Sequence, residues 1–317
     1  MKRILVIGAA GQIGSELTVK LREIYGGSNV VASDIRAQVP YELKHGGPFE
    51  IVDCLDTHRV VDIIVKYNID TVYNLVAILS AVGEAKPDMA WEVNLGSLLN
   101  LLDLAKELKF AIFTPSSIGA FGNSTPKDNT PQETIMRPNT IYGITKVAGE
   151  LLCDYYHNKY GIDTRGVRYP GIISNVTKPG GGTTDYAVEI FYKAIQEKKF
   201  TCNLKAGTFL DMMYMPDAVN AAIKIMEADP NKLQHRNAYN VAAMSFDPEM
   251  LANEIKKHIP DFEMKYQINN DLQKIADSWP NSLDDSFARK DWNWQHKFDI
   301  SAMSEDMIKT LQKRFND

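Results

Sequence analysis

The 317-residue sequence predicts an α/β protein built on a doubly wound parallel sheet, with a smaller α+β region towards the C-terminus. Three observations support this prediction. Short apolar segments alternate with helical patterns as far as residue 168, which is typical of a parallel sheet covered by helices on both faces. The first apolar segment leads into GAAGQIG, with glycines at positions 8, 11 and 14. The second apolar segment ends with an acidic residue, Asp34.

The alternating part of the chain contains six predicted strands and four predicted helices. Each strand is a short apolar run bounded by polar residues or glycine. The helices are recognised by their apolar spacing, by a capping residue such as Thr57 and by a closing glycine such as Gly161. The predicted strands cover residues 3–7, 30–34, 49–53, 71–75, 111–115 and 164–168, and the predicted helices cover residues 15–25, 57–67, 87–109 and 140–160.

The glycine-rich turn after the first strand predicts a dinucleotide site. Without side chains at Gly8 and Gly11, the backbone can turn tightly and approach a pyrophosphate at the helix N-terminus, while Gly14 lets the helix pack on the strand. A glycine trio alone also fits a simple tight turn, but this trio lies between a strand and a helix. The predicted cofactor contacts in this turn are Gly8, Gly11, Gln12, Ile13 and Gly14.

The acidic residue at the end of the second strand indicates which dinucleotide is bound. Asp34 lies 20 residues beyond Gly14, where it can accept hydrogen bonds from a ribose 2′-hydroxyl and repel a 2′-phosphate. NAD is therefore the predicted cofactor, although Arg36 leaves some tolerance of NADP open. Further cofactor contacts are predicted at Asp53, which could hold the adenine amino group or be a turn residue, and at Leu75, Ala77 and Tyr169.

The pattern becomes looser after residue 168. Residues 169–184 form a loop rich in glycine and proline, and a connection of this length is usually functional. Beyond it we predict helices at 185–199, 216–228, 247–258 and 300–315 and strands at 209–215 and 238–242. We expect residues 1–168 to form the NAD-binding domain, and residues 169–317 to form mainly a substrate-binding region that is partly interleaved with the main sheet.

The segment IYGITKVAGE places Tyr142 and Lys146 four residues apart, on one face of the predicted helix 140–160. A tyrosine that acts as a base near neutrality needs its pKa lowered by about 3 units, or roughly 4 kcal/mol. A lysine and a positively charged cofactor ring would supply this stabilisation. The spacing alone also fits an ordinary exposed helix face. Ser116 and Ser117 follow strand five, where a hydroxyl can meet Tyr142, although serine pairs in loops usually belong to turns.

Composition excludes several other classes of function. The chain has 40 acidic and 35 basic residues and no basic run that would indicate nucleic-acid binding. No apolar stretch reaches the roughly 18 residues that a membrane span requires. The three cysteines are far apart and the six histidines form no ligand pair, so neither a disulfide framework nor a metal site is predicted. We expect a cytoplasmic, metal-independent enzyme with no membrane partner.

Four motifs occur together in the chain: GxxGxxG at 8–14, the acidic Asp34, SSxxxFG at 116–122 and YxxxK at 142–146. In this order they resemble the extended short-chain dehydrogenase/reductase family, over nearly the whole chain. The resemblance implies a Rossmann fold, an NAD cofactor and a homodimer formed by the helices at 87–109 and 140–160. It also implies that Ser117 holds the substrate oxygen, that Tyr142 is the acid/base, and that Lys146 binds the nicotinamide ribose and lowers the pKa of the tyrosine.

Most extended members of this family act on nucleotide-sugars, and the chain departs from them at two places. It has Pro170-Gly171 where those members usually carry Phe-Asn, and Leu-Asp-Met-Met at 210–213 instead of a diphosphate-binding arginine. The segments PSSIGAFG, RYPGIIS, GGGTTDYAVEIFYKA and SWPNSLDDSFARKDWNW resemble the threonine-oxidising members instead. That resemblance implies NAD-dependent oxidation of the L-threonine 3-hydroxyl to 2-amino-3-oxobutyrate without a metal.

Two alternative functions remain open at this point. One is a nucleotide-sugar epimerase or dehydratase of the same fold. The other is a non-catalytic NAD-binding scaffold, because a fold alone does not fix a function. The presence of Ser117, Tyr142 and Lys146 together argues against the scaffold.

A zwitterionic amino acid requires donors for its carboxylate and an acceptor for its ammonium group. The loop 180–185 offers backbone N–H groups, two threonine hydroxyls and a carboxylate, but residues 183–185 also fit a helix N-cap. Trp279 lies in a tryptophan-rich segment, and such clusters more often belong to a core than to a ligand site. The predicted substrate contacts are Ser80, Ser116, Ser117, Tyr142, Gly181, Thr184, Asp185 and Trp279.

Overall fold

A computed structural model of the chain describes residues 1–177, 180 and 182–316. Its strands, in chain order, are Ile4–Ile7 (β1), Val30–Asp34 (β2), Phe49–Ile51 (β3), Thr71–Asn74 (β4), Ala111–Phe113 (β5), Ser116–Ser117 (β6), Thr164–Arg165 (β7), Val167–Tyr169 (β8), Gly171–Ile173 (β9), Lys199–Cys202 (β10), Leu210–Tyr214 (β11), Tyr239–Asn240 (β12), Met244–Phe246 (β13) and Glu263–Tyr266 (β14).

The helices are Gln12–Tyr25 (α1), Tyr41–His45 (α2), Thr57–Tyr67 (α3), Ser80–Ala85 (α4), Pro87–Trp91 (α5), Ser97–Leu108 (α6), Ile141–Tyr160 (α7), Tyr186–Glu197 (α8), Met215–Glu227 (α9), Pro248–His258 (α10), Asn270–Ala276 (α11), Ser286–Trp292 (α12) and Ile300–Asn316 (α13). Short 3₁₀ turns occupy Gly27–Asn29 and Ile118–Ala120, and a π-helical turn occupies Glu92–Gly96.

Six strands form the main sheet, in the order β3-β2-β1-β4-β5-β7. All of its neighbouring strands are parallel. The strand order reverses between β1 and β4, and in a doubly wound sheet ligands bind at the carboxyl ends of the strands at such a point. The predicted fold class is confirmed.

The main sheet is buried because helices cover both of its faces. Alternate side chains of β1 enter different core clusters: Ile4 packs in the cluster that contains Leu17 of α1, and Leu5 packs in the cluster that contains Ile63 of α3 and Leu102 of α6. Every residue of β1, β2 and β4 is buried. These near-continuous apolar runs are typical of a central parallel sheet, and they hold the strand ends in fixed positions.

The predicted strand 164–168 is wrong as a single element, because the chain leaves the main sheet at Gly166. β7 pairs with β5, whereas β8 pairs with β6 and β12 in a separate sheet. A Cβ at Gly166 would lie 2.4 Å from the Thr114 carbonyl oxygen, so only glycine allows the backbones to approach this closely. Through β12, a segment near residue 240 joins a sheet next to the main one. The predicted division into two domains is not tested by this pairing and stays a prediction.

The predicted helix 87–109 is also interrupted. It consists of α5, the π-helical turn Glu92–Gly96 and α6, and it is preceded by the short helix α4. Asn94 in the π-helical turn explains the break, because its side chain accepts a hydrogen bond from the Ile78 N–H at 2.6 Å and donates to the Ile78 carbonyl at 3.1 Å. The turn therefore holds the segment that follows β4. π-helical turns of this kind are frequent at functional sites.

Smaller differences from prediction concern caps and short elements. The N-cap of α3 is Asp56, whose side chain accepts from the Arg59 N–H at 3.0 Å, and not Thr57. The prediction missed the short elements β6, β9, β10, β13, β14, α2, α4, α11 and α12. Most of these strands pair with strands that are distant in sequence, so a local apolar pattern does not reveal them.

Two features are absent from the part of the chain that the structure describes. None of its helices combines the length and the apolar character needed to cross a membrane. None of its His, Cys, Asp and Glu side chains form a group of three or more that could hold a metal ion. Cys54, Cys153 and Cys202 are free thiols.

The N-terminus of α7 packs unusually close to the turn Ile118–Ala120. Thr140 caps α7 by accepting a hydrogen bond from the Gly143 N–H at 3.1 Å. A Cβ at Gly143 would lie 2.1 Å from the Gly119 carbonyl oxygen, and a Cβ at Gly119 would lie 3.0 Å from the Tyr142 ring. The absence of both side chains lets the helix rest on the turn, and this contact fixes the position of Tyr142.

Gly143→Ala should therefore destabilise the protein, whereas Gly96→Ala should not. A Cβ at position 143 forces α7 away from the turn, and overpacking of this kind costs about 1–3 kcal/mol. At position 96 the nearest atom to a new Cβ is a Leu55 methyl at 3.8 Å, which is an ordinary contact. Urea unfolding measures the free energy of unfolding of both variants. Equal stability would show that α7 can move away from the turn without cost.

Candidate active site

A cleft with a volume of about 850 Å³ lies at the carboxyl edge of the main sheet. Its walls come from β6, from segments that follow β1 and β4, from the first two turns of α7 and from the segment before α8. The predicted site residues that line it are Gln12, Ile13, Leu75, Ala77, Ser80, Ser116, Ser117, Tyr142, Lys146, Tyr169, Thr184, Asp185 and Trp279. Residues predicted separately to bind cofactor, to react and to bind substrate thus share one cavity.

The other predicted cofactor residues lie along the same edge of the sheet. Gly8, Gly11 and Gly14 form the turn between β1 and α1, Asp34 ends β2, and Asp53 follows β3. Because β1, β2 and β3 are adjacent parallel strands, their carboxyl ends form one continuous edge. An extended ligand such as a dinucleotide binds a doubly wound sheet along this kind of edge.

The turn between β1 and α1 leaves bare backbone at the N-terminus of α1. Gly8 has a φ of +82°, a conformation that favours glycine. A Cβ at Gly14 would lie 2.2 Å from the Gly8 carbonyl oxygen. No side chain caps α1, so its first amide groups are available to an anionic ligand. The cradle fits the pyrophosphate of a dinucleotide.

The carboxylate of Asp34 is buried and held from two sides. It accepts hydrogen bonds from the Ala10 N–H at 2.9 Å and from Arg36 Nε at 2.9 Å. Burial raises the pKa of this carboxyl, but the hydrogen bonds from Arg36 and Ala10 outweigh burial and hold the pKa below its ordinary value. Asp34 is therefore an ionised, oriented acceptor at the end of β2, beside an exposed guanidinium.

A buried acceptor lies at the end of β4. Asn74 Oδ1 is shielded from solvent and makes no hydrogen bond within the described ranges 1–177, 180 and 182–316. It lines a small cavity that Asn94 and Lys146 also line. A buried acceptor left unpaired costs about 1–3 kcal/mol, so this amide indicates a polar binding position at the edge of the sheet.

Ser117 and Tyr142 line the same part of the cleft, where β6 approaches α7. Ser117 Oγ accepts a hydrogen bond from the Gly119 N–H at 3.1 Å, which fixes the serine side chain. Burial raises the pKa of the Tyr142 phenol, and a hydrogen bond with Ser117 opposes this effect, leaving the pKa above its ordinary value. The ligand-free protein therefore holds Tyr142 as the neutral phenol at neutral pH.

Lys146 lies one helical turn beyond Tyr142. Its Nζ donates to the Pro115 carbonyl at 2.8 Å and lies 5.4 Å from the centre of the Tyr142 ring. Burial lowers the pKa of Lys146 to about 8, and the carboxylate of Glu150 acts against this shift. The lysine is thus mainly cationic at neutral pH beside the phenol. That this charge lowers the pKa of Tyr142 when a cofactor is bound stays a prediction.

Ser116 makes a contact that the sequence did not reveal. Side chains alternate along a strand, and the Ser116 hydroxyl donates to the carboxylate of Glu150. Glu150 is buried and pairs with Arg168 at 2.8 Å. Ser116 also lines the cleft, and its predicted contact with substrate stays a prediction. Glu150 is the functional candidate that the sequence reasoning missed, and its only sequence signal is its spacing of four residues from Lys146.

The segment before α8 brings a second hydroxyl to the cleft. Thr183 is 1% exposed, and its Oγ1 has no partner among the residues that the structure describes. The Asp185 carboxylate accepts from the Gly182 N–H at 2.8 Å instead of capping α8. Thr184, the predicted substrate contact, lines the same cleft, and its role stays a prediction. Gly181, also predicted, lies outside the described residues.

Three further predicted residues are buried with one edge on the cleft. Tyr169 donates its hydroxyl to the Ala218 carbonyl at 2.6 Å, and burial raises the pKa of its phenol. Trp279 belongs to a core cluster and also lines the cleft, so both interpretations of this tryptophan apply. Ser80 is buried at the start of α4.

Comparison with known proteins identifies relatives over the whole chain. A model of the NAD dependent epimerase/dehydratase family matches residues 4–242. An uncharacterized epimerase/dehydratase from Staphylococcus haemolyticus is 50% identical over 314 residues, which cover 99% of this chain and 99% of that protein.

Two solved structures are similarly close. An L-threonine dehydrogenase from Clostridium difficile is 54% identical, with a TM-score of 0.97, over 99% of this chain and 98% of that chain. The holo form of a GalE-like L-threonine dehydrogenase from Cupriavidus necator is 46% identical, with a TM-score of 0.95, over 98% of this chain and 99% of that chain.

These matches confirm the resemblance to the extended short-chain dehydrogenase/reductase family and the prediction of NAD as the cofactor. The glycine cradle at α1 and the ionised Asp34 fit that cofactor. The chain belongs to the NAD dependent epimerase/dehydratase family.

Proposed function

We propose that the protein is an L-threonine 3-dehydrogenase, which oxidises the 3-hydroxyl of L-threonine to 2-amino-3-oxobutyrate with NAD⁺. The observation that supports this substrate best is the charge of the cleft. Among the described residues that line it, Lys146 is the single cation and no arginine is present, so these residues offer no arginine to a sugar diphosphate. Instead the cleft combines a buried threonine hydroxyl with the Asp185 carboxylate. The two solved L-threonine dehydrogenases described above support the same substrate.

In this proposal, the turn of Gly8, Gly11 and Gly14 holds the pyrophosphate of NAD, and Asp34 accepts from the ribose hydroxyls. Gln12 and Ile13 contribute backbone at the helix N-terminus, and Asp53, Leu75, Ala77 and Tyr169 complete the predicted cofactor contacts. When bound, NAD⁺ accepts the hydride from C3 of the substrate.

The protein supplies the proton chemistry through α7 and β6. Ser117 and Tyr142 hydrogen-bond the 3-hydroxyl, and ionised Tyr142 removes its proton as the general base. Lys146 stabilises the phenolate, because an opposite charge within a few ångströms favours the ionised form. Packing of α7 on its neighbouring turn keeps these groups oriented before the substrate arrives.

The amino-acid end of the substrate is assigned to the segment before α8. Asp185 supplies negative charge for the ammonium group, and the Thr183 hydroxyl donates to the carboxylate. Ser80 and Thr184, which also line the cleft, are further donors. Trp279 provides an apolar wall that excludes water from the site.

Turnover of L-threonine tests this function directly. With NAD⁺ the protein should form NADH from L-threonine, but not from UDP-sugars or 3-hydroxybutyrate. Tyr142→Phe should lower turnover by a factor of about 10² or more, since it removes the general base. Tyr160→Phe, at the exposed far end of the same helix, is the control and should retain activity. Turnover of a UDP-sugar without threonine oxidation would support the epimerase or dehydratase alternative.

Thr183→Val should raise KM for L-threonine and leave the affinity for NAD⁺ nearly unchanged. The substitution keeps the shape of the side chain and removes the buried hydroxyl assigned to the substrate carboxylate, a loss of about 0.5–1.5 kcal/mol or more. Thr184→Val is the matched comparison at the adjacent position. Steady-state kinetics decide between them, and a larger rise of KM in Thr184→Val would move the contact to that residue.

Asp34 should make the protein prefer NAD⁺ over NADP⁺ by about 10²- to 10³-fold in kcat/KM. Two like charges about 4 Å apart at a partly buried site cost about 4 kcal/mol, which disfavours a 2′-phosphate beside this carboxylate. Asp34→Ala should reduce this preference and release Arg36 from its ion pair. Comparable efficiency of the wild-type protein with both cofactors would show that Asp34 does not face the ribose.

We also propose that the protein forms a homodimer through α6 and α7. Several large apolar side chains on and near these helices are exposed: Trp91, Leu99, Ile144, Leu151 and Tyr155. Because α5 and α6 both contact α7, these side chains are grouped on neighbouring helices, and large exposed apolar patches are typical of interaction sites. Sedimentation should give twice the mass of the 35.6 kDa chain, and a single-chain mass at micromolar concentration would contradict the proposal.

A further inference from the structure

A buried ion pair lies behind the reacting side chains. Glu150 and Arg168 are about 4% exposed, and Arg168 Nη2 lies 2.8 Å from Glu150 Oε2. Arg168 also donates to the Gln132 carbonyl at 2.8 Å and to Asn240 Oδ1 at 3.0 Å. Buried charges persist only when they are paired and hydrogen-bonded in this way. The pair is therefore a fixed connection between α7, β8 and β12.

One hydroxyl attaches β6 to this ion pair. β6 consists of Ser116 and Ser117 alone, and their side chains point to opposite sides of the strand. Ser116 donates to the carboxylate of Glu150, while Ser117 interacts with Tyr142. The bond from Ser116 thus holds β6 against α7 directly beside the contact between Ser117 and Tyr142.

Glu150 also lies on the helix face that carries the reacting groups. Tyr142, Lys146 and Glu150 follow one another at intervals of four residues, so they stack along α7. Glu150 does not line the cleft and cannot touch the substrate there. A role for it must act through its neighbours.

We propose that Glu150 is a positioning residue which, through the hydroxyl of Ser116, holds β6 against α7 and thereby fixes where Ser117 lies relative to Tyr142 in the cleft. Use of this arrangement in catalysis rests on the proposed function. The arrangement itself does not, because it is a property of the free protein. Without the Ser116 hydroxyl, β6 is free to shift relative to α7 and Ser117 moves relative to Tyr142.

The ionisation of Tyr142 reports its contact with Ser117. Within the part of the chain that the structure describes, the other titratable groups that line the cleft are Lys146 of α7, Tyr169 of β8 and Asp185 before α8. Glu150 acts on Tyr142 only from behind Lys146 and remains paired with Arg168 when Ser116 is changed. Ser116→Ala leaves all of these charges in place, so a changed titration of Tyr142 reflects its contact with Ser117.

The test uses the complete protein with ¹³Cζ-labelled tyrosine and follows the Tyr142 resonance by NMR during a pH titration. The resonance is assigned by its loss in Tyr142→Phe. Thr164→Val is the matched control, because Thr164 is another buried hydroxyl that joins a strand to α7, through the Cys153 carbonyl at 3.0 Å, and does not line the cleft. Melting temperatures of both variants measure the purely structural effect.

Ser116→Ala should raise the pKa of Tyr142 by about 0.5–1 unit, the equivalent of one weakened hydrogen bond, while Thr164→Val leaves it unchanged. A wild-type titration in Ser116→Ala, or an equal shift in both variants, would overturn the proposal. Because the titration needs no substrate, it is independent of whether threonine is oxidised. With an active protein, Ser116→Ala should also move the acidic limb of the kcat profile to higher pH and leave KM for NAD⁺ unchanged.

Discussion

The close packing of α7 on the turn Ile118–Ala120 determines the geometry of the site. Gly143 and Gly119 lack side chains where the two backbones meet, and the Thr140 cap fixes where the helix begins. Tyr142 therefore lies beside the end of β6. Lys146 lies one helical turn further on, where its Nζ donates to the Pro115 carbonyl. The proposed reacting groups are positioned by backbone contacts and caps, before any ligand contributes.

The parts of the site that sequence could predict are those that depend on local spacing. A separation of four residues on a helix makes Tyr142 and Lys146 neighbours whatever surrounds them. Glycines between a strand and a helix, followed by Asp34 at the end of the next strand, predict a dinucleotide-binding site at one edge of the sheet, because this pattern also depends on local spacing. The main sheet was predictable because its strands are buried on both faces and are therefore almost wholly apolar.

The parts that sequence could not predict depend on which distant segments meet. The break of the sixth strand at Gly166 follows from the approach of Thr114 and from pairing with a strand near residue 240. The interruption of the helix 87–109 follows from the contact between Asn94 and Ile78. Equally, the sequence around these residues does not indicate that Ser116 pairs with Glu150 or that Thr183 is buried.

The fate of the hydrogen on C3 of threonine tests the proposed oxidation. The protein would be incubated with NAD⁺ and L-threonine deuterated at C3, and the reduced cofactor analysed by mass spectrometry. We predict that NADH gains one mass unit when deuterated threonine replaces ordinary threonine, because the hydride comes from the carbon that bears the 3-hydroxyl. Absence of NADH, or formation of unlabelled NADH, would contradict it.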